Sequence, residues 1–184
     1  MPDLRDASKQ DQKTADLTPF YELTRQAEKT AEAVIEKCVK LRIKLALAES
    51  CTAGLISGLL ANVSGASSAL WGSFVCYTKE AKTRMLSLDE KELDKYGLVS
   101  EETACKMAQG ALKKSSADIA CAVTGLAGPL GDGSDVPVGT VWIAAASSGG
   151  VEPKKFFFEG GRNEVRLRAA VAALEIIEKA VDKN

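Results

Sequence analysis

Glu49-Ser50-Cys51-Thr52 follows directly on a strand-length apolar run from Ile43 to Ala48, so a carboxylate, two hydroxyls and a thiol crowd one strand end. At a strand-to-helix turn the Ser50 hydroxyl has two uses. It can cap the helix that follows, worth about 1 kcal/mol, a task Thr52 can share. It can instead attack a carbonyl group held over the helix's positive end. Cys51 is the rival nucleophile, because a helix amino terminus lowers a thiol's pKa. Small buried cysteines are common, however, and the core reading of Cys51 is the stronger one. Glu49, at the end of an apolar strand, needs a partner or a function. Its plainest role is to orient a cation or a substrate hydroxyl.

The chain contains no histidine. That removes the Ser-His-Asp and Cys-His arrangements, the imidazole base and the commonest transition-metal ligand together. A serine nucleophile here needs another base, and a lysine kept neutral by burial is one. "YTKEAK" offers Tyr77, Lys79 and Lys82, and spacing alone does not choose among these and the neighbouring lysines. Two further segments suit a ligand. In "VTGLAGPLGDGSDVPVGTV", Thr124, Gly125 and Gly128 follow a buried strand, and glycines there let backbone amides approach an anionic or planar group. The segment is neither a dinucleotide fingerprint nor a P-loop. "FEGGRNEVRLR" sets Arg162 and Arg166 four apart on one face at the start of the last helix. Cations at that end oppose the helix dipole unless an anion is bound, and a phosphate accounts for both.

The elements that must position these groups alternate. Residues 1–16 are polar and aperiodic and read as a flexible extension, leaving 17–184 as a single domain. Thr18 is a candidate N-cap with Pro19 at the first helical position, and apolar residues from Leu23 to Leu41 recur at helical spacing. A strand through Ala48, a helix over about 51–61, a strand within Ser68–Thr78 and a helix through "KEAKTRMLSL" come next. "DEKELDKYG" ends at a helix-stopping Gly97, and Ser100 opens the helix after it. "ADIACAVTG" is a buried strand, "VGTVWIAAASS" and "EPKKFFFEG" form a hairpin around Gly149-Gly150, and a helix over about 163–182 closes the chain. The expected fold is α/β, a three-layer α/β/α sandwich with a mixed, mostly parallel central sheet and a closing antiparallel hairpin. Ligands in such folds sit at the carboxyl ends of the strands.

Bulk properties narrow the partners. A chain of 184 residues, 46% hydrophobic and 27% charged, suits one soluble globular core. With a net charge of −1 there is no basic field for nucleic acid or an anionic membrane. No apolar run reaches bilayer length, and the amino terminus lacks a signal pattern, so a cytoplasmic protein is expected. Five cysteines without CxxC spacing suit reduced thiols rather than a disulfide framework or a zinc site. Neither a metal nor a cofactor is expected. The exposed faces of the first and last helices leave room for a homodimer or higher homo-oligomer.

Taken together and in order, "AESCTAG", "GASS", "VCYTKEAK", "YGLVSEETACKMAQGA", "VTGLAGP", "PVGTV" and "FFEGGRNEVR" resemble the CinA carboxy-terminal-domain family, whose enzymes are nicotinamide-nucleotide amidases. The resemblance runs from about Leu23 to Val181. It implies a three-layer fold and hydrolysis of nicotinamide mononucleotide to nicotinate mononucleotide and ammonia. It further implies Ser50 as nucleophile, assisted by Tyr77 and Lys82, with backbone amides after Ser50 holding the oxyanion. The implied substrate-binding set is Glu49, Cys51, Thr52, Gly54, Ser67, Ser68, Thr124, Gly125, Gly128, Arg162 and Arg166, facing a pyridine mononucleotide. Ala53, Lys79, Val136 and Gly161 depart from the usual family residues. Two other readings fit the same residues: a nucleotide-binding or regulatory homologue with impaired chemistry, and an amidase for another small anionic amide. Many relatives carry a larger amino-terminal domain associated with pyrophosphate chemistry, so a stand-alone amidase without pyrophosphatase activity is expected here.

Overall fold

The computed structural model describes residues 18–184, so the extension expected at 1–16 lies outside the described residues. Six helices and five strands follow in the order α1 (Thr18–Leu41), β1 (Leu45–Glu49), α2 (Leu55–Ala61), β2 (Leu70–Val75), α3 (Lys79–Leu86), α4 (Glu90–Tyr96), α5 (Glu101–Lys114), β3 (Ile119–Gly125), β4 (Thr140–Ser147), β5 (Gly150–Phe157) and α6 (Arg162–Lys183). A single 3-10 turn, Ala66–Ser68, leads into β2. The strands form one sheet in the order β2-β1-β3-β4-β5. β1 is parallel to both β2 and β3, whereas β3, β4 and β5 pair antiparallel. The expected mixed sheet with a closing hairpin is therefore present, flanked by helices on both faces.

Strand alternation explains the layers. Side chains along a strand point to opposite faces in turn, and here the two sets differ in size. Leu45, Leu47, Ile119, Cys121, Val123, Val141 and Ile143 pack with α1, α2 and α6 in one core. Ala46, Ala48, Ala120, Ala122, Ala144 and Ala146 face the opposite layer, where Ala104, Met107, Ala108 and Ala111 of α5 meet them. The small residues let α5 sit close. A side chain at Gly110 would strike the Leu86 carbonyl oxygen at 2.7 Å, which is why α3 ends flush against α5.

Helix starts follow local chemistry in most places. Thr78, Asp89 and Ser100 accept hydrogen bonds from Ala81, Lys91 and Thr103 amides at the starts of α3, α4 and α5. Gly97 ends α4 as expected. Thr18 is already helical rather than an N-cap. The larger difference is α2, which begins at Leu55 rather than near residue 51 because Ala53 and Gly54 take left-handed φ of 50° and 90°. No helix among the described residues is long and apolar enough to cross a membrane.

The strand order reverses at β1: the chain leaves it through α2 toward β2, then returns past β1 through α5 to β3. A crevice opens at such a reversal beyond the strand carboxyl ends. The Ser50 turn lies there.

Candidate active site

Glu49 is fully buried, and its carboxylate accepts hydrogen bonds from the Gly54, Ile56 and Ser57 amides at 3.0, 3.1 and 3.0 Å and from the Ser73 hydroxyl at 3.1 Å. It thereby serves the exposed amides at the start of α2, where a negative group is favoured. Two expectations are corrected by this. Neither Ser50 nor Thr52 caps α2, and Glu49 has no oxygen left over to orient a substrate. Thr52 is buried, with its hydroxyl oxygen unpartnered among the described residues.

The five-residue turn Ser50–Gly54 is held in a shape that favours glycine at Ala53. Ala53 is exposed, so its methyl group takes no space from a ligand; the departure from the family residue acts on the backbone instead. Left-handed φ costs a residue with a Cβ roughly 1–2 kcal/mol, partly offset by the extra unfolded-state freedom of glycine. Ala53→Gly is expected to raise stability by about 0.5–1 kcal/mol. Urea unfolding midpoints check this, and a lowered midpoint contradicts it.

Ser50 meets a lysine. Lys82 is 1% exposed, and its Nζ lies 2.8 Å from Ser50 Oγ and 3.0 Å from the Cys76 carbonyl oxygen. No carboxylate pairs with it among the described residues. Burial lowers its pKa from the usual lysine value, while Cys76 and Cys51 act weakly in the opposite direction. A buried amine of this kind can take the proton of the hydroxyl it touches. Lys79, indistinguishable from Lys82 by spacing, pairs with Asp94 at the surface. The Cys51 thiol is pushed up to about 11 by burial, as is Cys76, which leaves neither as a thiolate nucleophile near neutral pH.

The amides of Cys51 and Thr52 donate to no carbonyl or carboxylate among the described residues. Both residues are buried, and buried amides without an acceptor are rare. Arg166 fixes the turn from the other side: its Nε donates to the Cys51 carbonyl oxygen at 3.1 Å and a terminal nitrogen to that of Thr52 at 2.9 Å. Arg162 donates to the Gly128 carbonyl oxygen at 2.7 Å and to the Tyr77 hydroxyl at 2.6 Å. Two carbonyl oxygens thus accept from Arg166, whereas Arg162 bridges one carbonyl oxygen and a phenol hydroxyl. Tyr77 is half-exposed and touches Arg162 rather than Ser50 or Lys82.

These groups border a cavity of about 200 Å³. Of the sequence-predicted residues, Ser50, Cys51, Tyr77, Lys82, Thr124, Gly125, Gly128 and Arg162 line it. Glu49, Thr52, Gly54 and Arg166 stand behind the wall. Ser67 and Ser68 do not join: they precede β2, at the amino end of the sheet, and Ser68 offers its carbonyl oxygen to Lys44. The Thr124 hydroxyl donates to the Leu98 carbonyl oxygen at 2.7 Å, tying β3 to the loop before α5. Gly125 admits a neighbouring strand rather than a ligand, since a Cβ there would meet the Thr140 carbonyl oxygen at 2.7 Å. Gly128 precedes a cis peptide bond to Pro129. Sequence reasoning missed Leu98, Val99, Leu130 and Asp132 on the wall. The available signal was an apolar pair, Leu98-Val99, placed between a helix-stopping glycine and an N-cap.

A family model of the CinA C-terminal domain matches residues 27–181. The chain belongs to the CinA C-terminal domain family. It is 43% identical over 150 residues to a putative competence-damage inducible protein of Caldicellulosiruptor saccharolyticus, covering 82% of this chain and 36% of that one. A CinA-like protein of Syntrophomonas wolfei is 43% identical over 136 residues, 74% of this chain and 33% of the relative. The chain therefore spans about a third of the length of these curated relatives. Among solved structures, the competence/damage inducible protein CihA from Agrobacterium tumefaciens superimposes with a TM-score of 0.81 at 39% identity, over 85% of this chain and 96% of that one. A CinA superfamily protein from Klebsiella pneumoniae gives 0.83 at 28% identity, over 86% and 99%. The CinA fold, with its open mixed sheet, accounts for the site's position at the carboxyl ends of β1 and β3.

Proposed function

We propose that this CinA domain is a serine amidohydrolase that converts nicotinamide mononucleotide to nicotinate mononucleotide and ammonia. The observation that carries the reading is the 2.8 Å contact between Ser50 Oγ and the buried, uncompensated Lys82 amine. Neutral Lys82 takes the Ser50 proton as Oγ attacks the carboxamide carbon. The oxyanion that forms is held by the turn amide that follows Ser50, that of Cys51, which borders the cavity. The Lys82 ammonium then gives its proton to the departing nitrogen, which leaves as ammonia. Water attacks the resulting ester with Lys82 again as base, releasing the carboxylate product and restoring Ser50. Arg162 and the Tyr77 hydroxyl, at the edge of the cavity, receive the nucleotide's phosphate.

Ammonia release from nicotinamide mononucleotide by the purified protein tests the reaction. Multiple turnover supports it. Binding without ammonia favours a nucleotide-binding homologue, and release from other small anionic amides alone favours a different substrate. Cys51→Ala separates the two nucleophiles: because the thiol is buried and protonated, the variant is expected to keep turnover within about tenfold of the parent. Loss of activity in Cys51→Ala while Ser50→Ala remains active would overturn the serine reading.

A further inference from the structure

We propose that Asp132 is a specificity-determining residue, selecting substrates in which the ring bearing the carboxamide carries a positive charge. The inference rests on the amidase reading of the same site. Three charged side chains line the cavity: Lys82, Arg162 and Asp132. Lys82 is engaged with Ser50 and biased toward its neutral form, which leaves one cation and one anion on the wall. A lone carboxylate beside a site for a phosphate repels the ligand unless that ligand also carries a cation. Nicotinamide mononucleotide carries both charges, a phosphate and a pyridinium ring.

The competing account makes Asp132 a loop-forming residue only. Its Oδ1 accepts from the Ser134 amide at 3.0 Å and the Ser134 hydroxyl at 2.6 Å, a local turn typical of aspartate. That turn uses one oxygen. Oδ2 accepts no hydrogen bond from any other described residue, and the Ser134 contacts hold the carboxyl below the usual carboxylate range, so the charge persists. Two residues earlier, Leu130 lines the same cavity at 84% exposure, with Leu98 and Val99 also on the wall. Apolar contact beside one unpartnered anionic oxygen suits a planar cation.

Asp132→Asn is the informative variant, because asparagine keeps the acceptor that forms the turn and removes only the charge. The ligands are nicotinamide mononucleotide and its ring-reduced 1,4-dihydro form, which has the same phosphate, ribose and carboxamide but a neutral ring. KM is measured by ammonia release, and Kd by calorimetry in the Ser50→Ala background, with and without Asp132→Asn. The expected result is a loss of about fivefold in affinity for the charged ring, the scale of an exposed charge pair. No change is expected for the reduced form, and the difference shrinks as salt is added. Equal effects on both forms, no effect on either, or no binding of either by the parent overturns the proposal. If the parent binds the charged ring preferentially and loses that preference on Asp132→Asn, yet releases no ammonia, the selectivity stands and the amidase reading fails. If ammonia is released with KM unchanged by the substitution, the amidase reading stands and the selectivity fails.

Discussion

Lys82→Met and Ser50→Ala are each expected to lower kcat for amide hydrolysis by about 10⁴-fold, and the double variant to be no worse than either alone. The two side chains form one unit. Without Lys82, the Ser50 hydroxyl keeps its proton; without Ser50, the Lys82 amine has nothing to deprotonate. Additive losses in the double variant would show that the two act separately. The Lys82→Arg variant is also expected to be inactive, since guanidinium does not deprotonate in this range.

The pH dependence follows from the direction of the Lys82 shift. Burial lowers its folded pKa below the ordinary 10.5. Activity that needs the neutral amine therefore rises with pH and levels off below 10.5, the ordinary lysine value. Stability moves the same way. Between the folded value and 10.5 the unfolded chain binds more protons than the native one, so stability rises with pH through that window and is constant below it. Lys82→Met removes this dependence and leaves the fold intact, because a buried amine is replaced by an apolar side chain of similar length. A rate profile that falls with rising pH between neutrality and 10 would contradict the assignment of Lys82 as base.

Glu49→Ala is expected to cost about 3–5 kcal/mol of stability, the scale for stranding the partners of a buried charge. Three amides and the Ser73 hydroxyl lose their acceptor at once, in a place with little access to water. Because Glu49 immediately precedes Ser50, the folded fraction should also lose turnover as the turn relaxes. Glu49→Gln keeps one acceptor oxygen but turns an amide donor toward donors, and an intermediate loss of about 2 kcal/mol is expected. Urea midpoints and turnover of the folded protein measure both effects. A parental midpoint in Glu49→Ala would show that Glu49 does not hold the Ser50 turn.

Much of the fold was legible because its causes are local. Apolar period marks each element, and the Leu-Ala-Leu-Ala alternation of β1 carries, in four residues, the difference between the two helical layers. Ser100 caps α5 with its own side chain, so that helix start was readable as well, while the caps at Thr78 and Asp89 emerge from the structure. The start of α2 was not, because its amides are served by Glu49, which lies before the turn rather than at the cap position. The left-handed conformation of Ala53 is set by that closure and has no local sign.

The absence of histidine by itself determined that any activated serine here depends on another base, and the ordered motifs by themselves determined the family. Tertiary structure alone decided which lysine meets Ser50. Lys79 and Lys82 sit in the same helix three residues apart, yet α3 turns one toward Asp94 at the surface and the other into the protein against Ser50. It also decided that Arg166 grips the Ser50 turn across 115 residues of sequence and that Ser67 and Ser68 stand at the opposite end of the sheet from Ser50. Spacing along a chain encodes which residues share a local face. Burial, and with it the proton affinity of an amine, depends on what the rest of the fold packs against that face.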